Sequence, residues 1–120
     1  MAVGKEVGQF AFKVTSITYG ETSSQVNLRG TATGFGTVEG TLTVRGEPGA
    51  KSGTCSWRGA GYLEEGTIVR GTAEGTWETV GNHKWRIRGL NYLSDGRTIA
   101  TDGEAELATQ AYNGKIYEWS

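Results

Sequence analysis

The sequence predicts an all-β fold, an eight-stranded antiparallel up-and-down β-barrel in a single domain spanning residues 1–120. Three observations carry that prediction. Glycine makes up 20 of the 120 residues and proline only one, Pro48; each glycine inside a helix costs about 1 kcal/mol relative to alanine, and here glycine interrupts the chain too often for packing to offset it. The intervals are filled by Thr, Val, Ile, Trp and Tyr, side chains that suit a pleated, half-buried surface. Turn signals recur every ten to fifteen residues, the rhythm of successive hairpins.

Strands are expected at about 8–19, 24–34, 36–46, 53–63, 66–79, 83–93, 97–109 and 111–119. The links are short and glycine-marked: Gly20-Glu21-Thr22, Gly34-Phe35-Gly36, Gly46-Glu47-Pro48-Gly49, Glu64-Glu65-Gly66, Gly81-Asn82 and Ser94-Asp95-Gly96. Links of this length cannot cross a sheet, so consecutive strands should be antiparallel neighbours. An eight-strand meander leaves two long edges, and closure removes both. A two-sheet sandwich is the alternative.

Side chains alternate between the faces of a strand, which sorts the residues. In the second strand Val26, Leu28, Gly30 and Ala32 share a face; the third gives Val38, Gly40, Leu42 and Val44. The fourth gives Cys55, Trp57, Gly59, Gly61 and Leu63, and the fifth Val69, Gly71, Ala73, Gly75 and Trp77. The sixth supplies His83, Trp85, Ile87, Gly89 and Asn91, and the seventh Ile99, Thr101, Gly103, Ala105 and Leu107. The other parity carries Arg70, Arg86, Arg88, Glu74, Glu78, Glu104 and Glu106, mixed in sign and placed to pair across strands, as on a solvated exterior. Two segments thirty residues apart echo each other: Arg58-Gly59-Ala60-Gly61-Tyr62-Leu63-Glu64-Glu65-Gly66 and Arg88-Gly89-Leu90-Asn91-Tyr92-Leu93-Ser94-Asp95-Gly96. Shared hairpin chemistry accounts for the echo as well as common descent does, and either way 58–73 and 88–105 should be like hairpins.

An eight-stranded barrel encloses just enough room for its own side chains or for one small ligand. The inward set holds large rings beside bare glycine, a combination that serves tight interdigitation and an aromatic-walled cavity equally. In the second case Trp57, Trp77 and Trp85 form the walls, with Leu63, Val69, Ile87 and Leu107 completing the lining and Asn91 orienting a carbonyl or hydroxyl.

Several function classes are excluded or weakened. Twelve basic residues against thirteen acidic ones lack the electrostatic footprint of a nucleic-acid binder. No apolar run reaches membrane-spanning length or resembles a secretory signal, so a cytoplasmic location and no membrane partner are expected. A single cysteine, Cys55, forms no intrachain disulfide and reads as a buried inert thiol; with one histidine, no metal site on soft ligands is expected. The glycine run around Gly34-Phe35-Gly36 has neither the spacing nor the Lys-Ser/Thr ending of a phosphate loop. The carboxylates share the outer parity, which argues against a glycosidase pair. His83 is the sole histidine; lone histidines near strand ends are ordinarily surface residues, yet its parity with Trp85 makes it the candidate general acid or base if it faces the barrel mouth.

With its Gly-Thr dipeptides at Gly36-Thr37, Gly40-Thr41, Gly71-Thr72 and Gly75-Thr76, this meander resembles the small calycin-like barrels. Among them it is most similar to the allene-oxide-cyclase-like group, which includes dirigent proteins and bacterial spirotetronate cyclases. The resemblance covers most of the chain as a pattern; no catalytic motif can be laid on it residue by residue. It implies a cavity for apolar polyene or phenolic molecules, no cofactor, and cyclisation or isomerisation steered by shape. The leading expectation is therefore binding of a small, largely apolar molecule in the Trp-lined interior. The alternatives are a cofactor-independent cyclase or isomerase in the same cavity, and a structural or oligomer-forming barrel with a filled interior. Any homodimer is expected to form through the outer faces.

Overall fold

The computed structural model describes residues 3–119. The strands are β1 (Val3–Tyr19), β2 (Ser23–Ala32), β3 (Gly36–Arg45), β4 (Ser52–Tyr62), β5 (Ile68–Gly81), β6 (Lys84–Leu93), β7 (Thr98–Glu106) and β8 (Ala111–Trp119). Each pairs antiparallel with the next, and β8 returns to β1, closing the barrel. Closure excludes the sandwich, and the described residues contain no helix.

The observed strands depart from the expected ones at their ends, for local reasons. β1 begins at Val3 rather than near residue 8, because irregular pairing between Val3 and Gly8 lets it continue beside β8. β2 stops at Ala32, where Gly34 at φ 82° and Gly36 at φ 70° wind the chain into a turn around Phe35. β6 starts after His83, which has φ 59° and so leaves the ladder. β7 ends at Glu106, and residues 107–110 form a turn. The two echoing segments are matching hairpins. Leu63 N donates to Thr67 O and Gly66 N to Leu63 O; Leu93 N donates to Arg97 O and Gly96 N to Leu93 O, all at 2.9 Å.

Alternation places the apolar face inside. Leu28, Val38, Leu42, Cys55, Val69, Trp77 and Ile87 are buried there, joined by Phe10 and Phe12 from β1 and Tyr112 and Ile116 from β8. The ionic side chains lie outside. Arg88 pairs with Glu78 at 3.2 Å and Lys84 with Glu106 at 3.2 Å. Arg86 passes over Glu104, its direct cross-strand neighbour, and makes a two-pronged bond to Asp102, donating from Nε at 3.0 Å and Nη2 at 2.6 Å. The exterior also has an apolar strip: Leu90, Tyr117, Trp119 and Val3 border a shallow groove over Ala100, whose outward-facing side chain is buried.

The barrel has two unlike ends. The β1–β2, β3–β4, β5–β6 and β7–β8 connections gather at one, and the other three connections at the opposite one. At the first, Trp77 (9% exposed) fills the lumen beneath the 46–51 loop, and its Nε1 donates to Arg45 O at 2.9 Å. At the second, Phe35 folds in from its turn and is buried, with the Arg97 guanidinium 5.0 Å above its ring.

Candidate functional site

Between these plugs the lumen holds a partly open cavity of about 100 Å³. Its aromatic side comes from three strands. Phe12 on β1 and Trp57 on β4 stack across the barrel, nearly parallel at 2° with centroids 5.9 Å apart. Phe10 meets Tyr112 edge-on at 4.9 Å and tilts against Phe12 at 5.0 Å. Offset-stacked and edge-to-face contacts are the arrangements that ring quadrupoles favour, each worth about 0.5–1.5 kcal/mol beyond burial. The middle of the β5–β6 wall is bare by contrast, presenting Ala73, Gly75 and Gly89 between Val69 and Leu93 toward the Phe35 end and Ile87 toward the other. Among the described residues, the one hydrogen-bonded polar pair in its lining is Asn91 Nδ2 donating to Thr101 Oγ1 at 3.1 Å, and the Cys55 thiol and Tyr112 hydroxyl add two further polar groups.

Two titratable side chains point into this space. Burial pushes the Cys55 thiol up, against a smaller opposing pull from Arg45. Burial likewise pushes the Tyr112 phenol well above its ordinary value, helped by Cys55 and Asp102. Both are neutral near pH 7. Glu74 and Arg88 contribute backbone to the wall, while the Arg88 side chain is engaged with Glu78 outside. The lumen can therefore hold an apolar body and exchange hydrogen bonds at Asn91 and Thr101. Among the described residues its lining directs no ionised side chain inward. Among the described residues no cluster of three His, Cys, Asp or Glu converges as a metal site.

Of the residues singled out in the sequence, Trp57, Val69, Ile87 and Asn91 line the cavity. The others do not. Trp77 and Trp85 point inward but lie toward the 46–51 end, below the open space, Trp77 as a plug and Trp85 packed against the core. Leu63 packs on the core from the 63–67 turn and borders a surface depression with Gly34 and Gly36. Leu107 is 52% exposed on its turn. His83 is exposed on the β5–β6 turn, because its left-handed backbone rotates it out of the strand parity that would have turned it inward; the role of general acid or base in the lumen has no support from its position.

Phe10, Phe12, Phe35, Tyr112 and Ile116 line the cavity without having been expected to, and Cys55 and Thr101, inward by parity, join them. The spacing Phe10-Phe12-Val14 and Tyr112-Gly114-Ile116 is the same period-two signal that sorts the middle strands. Phe35 had no such signal, since a turn residue has no parity. Comparison of the chain with family models, with curated proteins and with solved structures gives no match.

Proposed function

We propose that this barrel is a receptor for a small, largely apolar molecule held in its lumen. One observation carries the reading: a neutral cavity walled by stacked rings on one side and by a glycine-lined stretch of β5–β6 on the other, with one hydrogen-bonded polar pair in it. Apolar transfer at about 25 cal/mol per Å² supplies the affinity, and Asn91 with Thr101 supplies orientation. The volume sets the scale of the guest. About 100 Å³ is well under the ~300–1,000 Å³ of ordinary ligand pockets and about two thirds of the ~150 Å³ engineered cavity that takes benzene. A guest of one ring fits that scale; a long polyene does not. The likeness to allene-oxide-cyclase-like barrels supports the use of the lumen, and conversion there would rest on shape and the Asn91–Thr101 pair, because Cys55 and Tyr112 stay protonated.

The same small volume favours a second reading, a packed scaffold with no guest. Tryptophan fluorescence and methyl NMR of the full chain during titration separate the two. Toluene should give a saturable response, centred on Trp57 and Ile87, and a long-chain fatty acid should give none. Silence toward every small apolar probe would overturn the receptor and leave the scaffold.

A further inference from the structure

The glycine pairs that face the lumen are not equivalent. Gly40 and Gly59 sit directly opposite each other on β3 and β4, and a Cβ on either would meet the Trp57 indole at 2.5 Å. Gly103 and Gly114 are opposite on β7 and β8, and a Cβ there would meet Phe10 Cζ at 2.8 and 2.6 Å. These two pairs are seats for rings the chain itself provides. Gly75 and Gly89 form a third directly opposed pair, on β5 and β6, and both line the cavity. The atoms nearest to a Cβ at either position are all backbone: Gly75 is needed because a Cβ there would run into Arg88 O, whereas for Gly89 the first is Glu74 O at 3.2 Å. Among the described residues no side chain occupies this seat.

Its surroundings are fixed by register. Cys55 lies beside Gly75 and Thr101 beside Gly89, while Ala73 and Asn91 form the next inward-facing pair toward the Phe35 end. Asn91 spends one amide hydrogen on Thr101 Oγ1, which leaves its carbonyl oxygen, its second N–H and the Thr101 hydroxyl proton for another partner. Charge, by contrast, is spent outside the wall. Arg86 is paired with Asp102 and Arg88 with Glu78, so neither of these β6 guanidinium groups faces the seat.

Building on the receptor reading, we infer that the Gly75–Gly89 seat takes the ring of a neutral monocyclic aromatic molecule whose one polar substituent reaches Asn91 and Thr101. Bare backbone lets a flat ring approach as closely as Trp57 and Phe10 approach their own glycines. The volume allows one ring, the amide–hydroxyl pair selects a hydrogen-bonding substituent, and the missing counter-charge rejects a carboxylate.

The test titrates the full chain with toluene, benzyl alcohol and benzoate, read by ligand-observed NMR and Trp57 fluorescence. Benzyl alcohol is expected to bind, and benzoate to bind at least tenfold more weakly. Asn91→Leu should weaken benzyl alcohol about fivefold, the worth of one ordinary hydrogen bond, and leave toluene unchanged. Gly89→Ala and Ala73→Leu each place carbon in the seat and should abolish binding of both while the chain stays folded, with Gly89→Ala lowering the thermal midpoint by no more than a few degrees. Should one of the two fail to fold, the other still reads the seat. Three results overturn the inference while leaving the receptor intact: benzoate binding as well as benzyl alcohol, an unchanged alcohol-to-toluene ratio in Asn91→Leu, or undiminished toluene binding in a folded Gly89→Ala. If none of the three compounds binds the unmodified chain, the inference fails, and a parallel lack of response to xenon removes the receptor itself.

Discussion

The two ends of the barrel are closed by different devices. Trp77 grows from the middle of a paired strand, seats its indole against Gly46 and Gly53, and anchors its N–H on a backbone carbonyl. A Cβ on Gly53 would meet Trp77 Nε1 at 2.6 Å, so the plug and its socket specify each other. Phe35 instead stands on a turn held in shape by two glycines with positive φ, and what covers it is the Arg97 guanidinium, itself tied to Asp95 at 2.7 Å. Removing Trp77 means breaking ladder-supported packing; moving Phe35 means rotating one turn. Local opening concentrates where few ladder bonds must break, so traffic to the lumen belongs at the Phe35 end.

The largest effect expected from this contrast is at Trp77. Trp77→Ala should cost about 3–5 kcal/mol in urea unfolding, because it empties the socket and strands Arg45 O; an equal loss from Phe35→Ala would show the two closures to be equivalent. Next come the glycine seats. Gly114→Ala drives a methyl toward Phe10 and neighbouring backbone and should cost roughly 1–3 kcal/mol or more. Gly89→Ala should stay well inside that, its neighbour needing to yield only slightly. Similar losses at both would erase the distinction between a filled seat and an empty one.

A smaller effect is set by pH. The bonds from Arg86 hold the Asp102 carboxyl below the usual carboxylate range, outweighing the opposing effect of its partial burial. Its folded value is thus lower than its unfolded one near ~3.9. The contribution is complete above the unfolded value and disappears as pH falls through the depressed folded one. Stability measured from pH 6 down to pH 2 should decline less steeply in Asp102→Asn than in the parent. The smallest effect is at the lid: Arg97→Ala removes a cation–π contact worth about 0.5–1 kcal/mol at an exposed site. It should raise amide exchange across residues 33–36 while exchange in the 46–51 loop stays unchanged.

How much of this was legible varies along the chain. In β2 to β7 one parity is apolar and the other charged, so the faces followed from alternation, while closure followed from the short links of an eight-strand meander with two long edges to hide. β1 mixes the signal: Val7, Ala11 and Ile17 blur the period, and an irregularity between Val14 and Ser16 shifts it. The run Phe10-Phe12-Val14 carries the period locally, but the apolar residues of the opposite parity around it kept it from being sorted. Height along the barrel axis was not legible either. Parity shows that Trp57, Trp77 and Trp85 all point inward, but only the register of neighbouring strands shows that Trp57 lies beside the space and the other two below it. His83 and Phe35 failed in opposite ways for one cause, positive backbone angles at residue 83 and at both neighbours of residue 35.

The seam where β8 meets β1 has a bearing on how the molecule is made. The strand at the start of the described chain finds its second neighbour only when Ala111–Trp119 has emerged, since that segment pairs with Val3 to Lys13. Until then a nascent chain carries two unsatisfied sheet borders, each able to recruit a neighbouring molecule. The last nine-residue strand thus works as a fastener, and a chain shortened by it is exposed to sticking and clumping even though most of its interior contacts could still form.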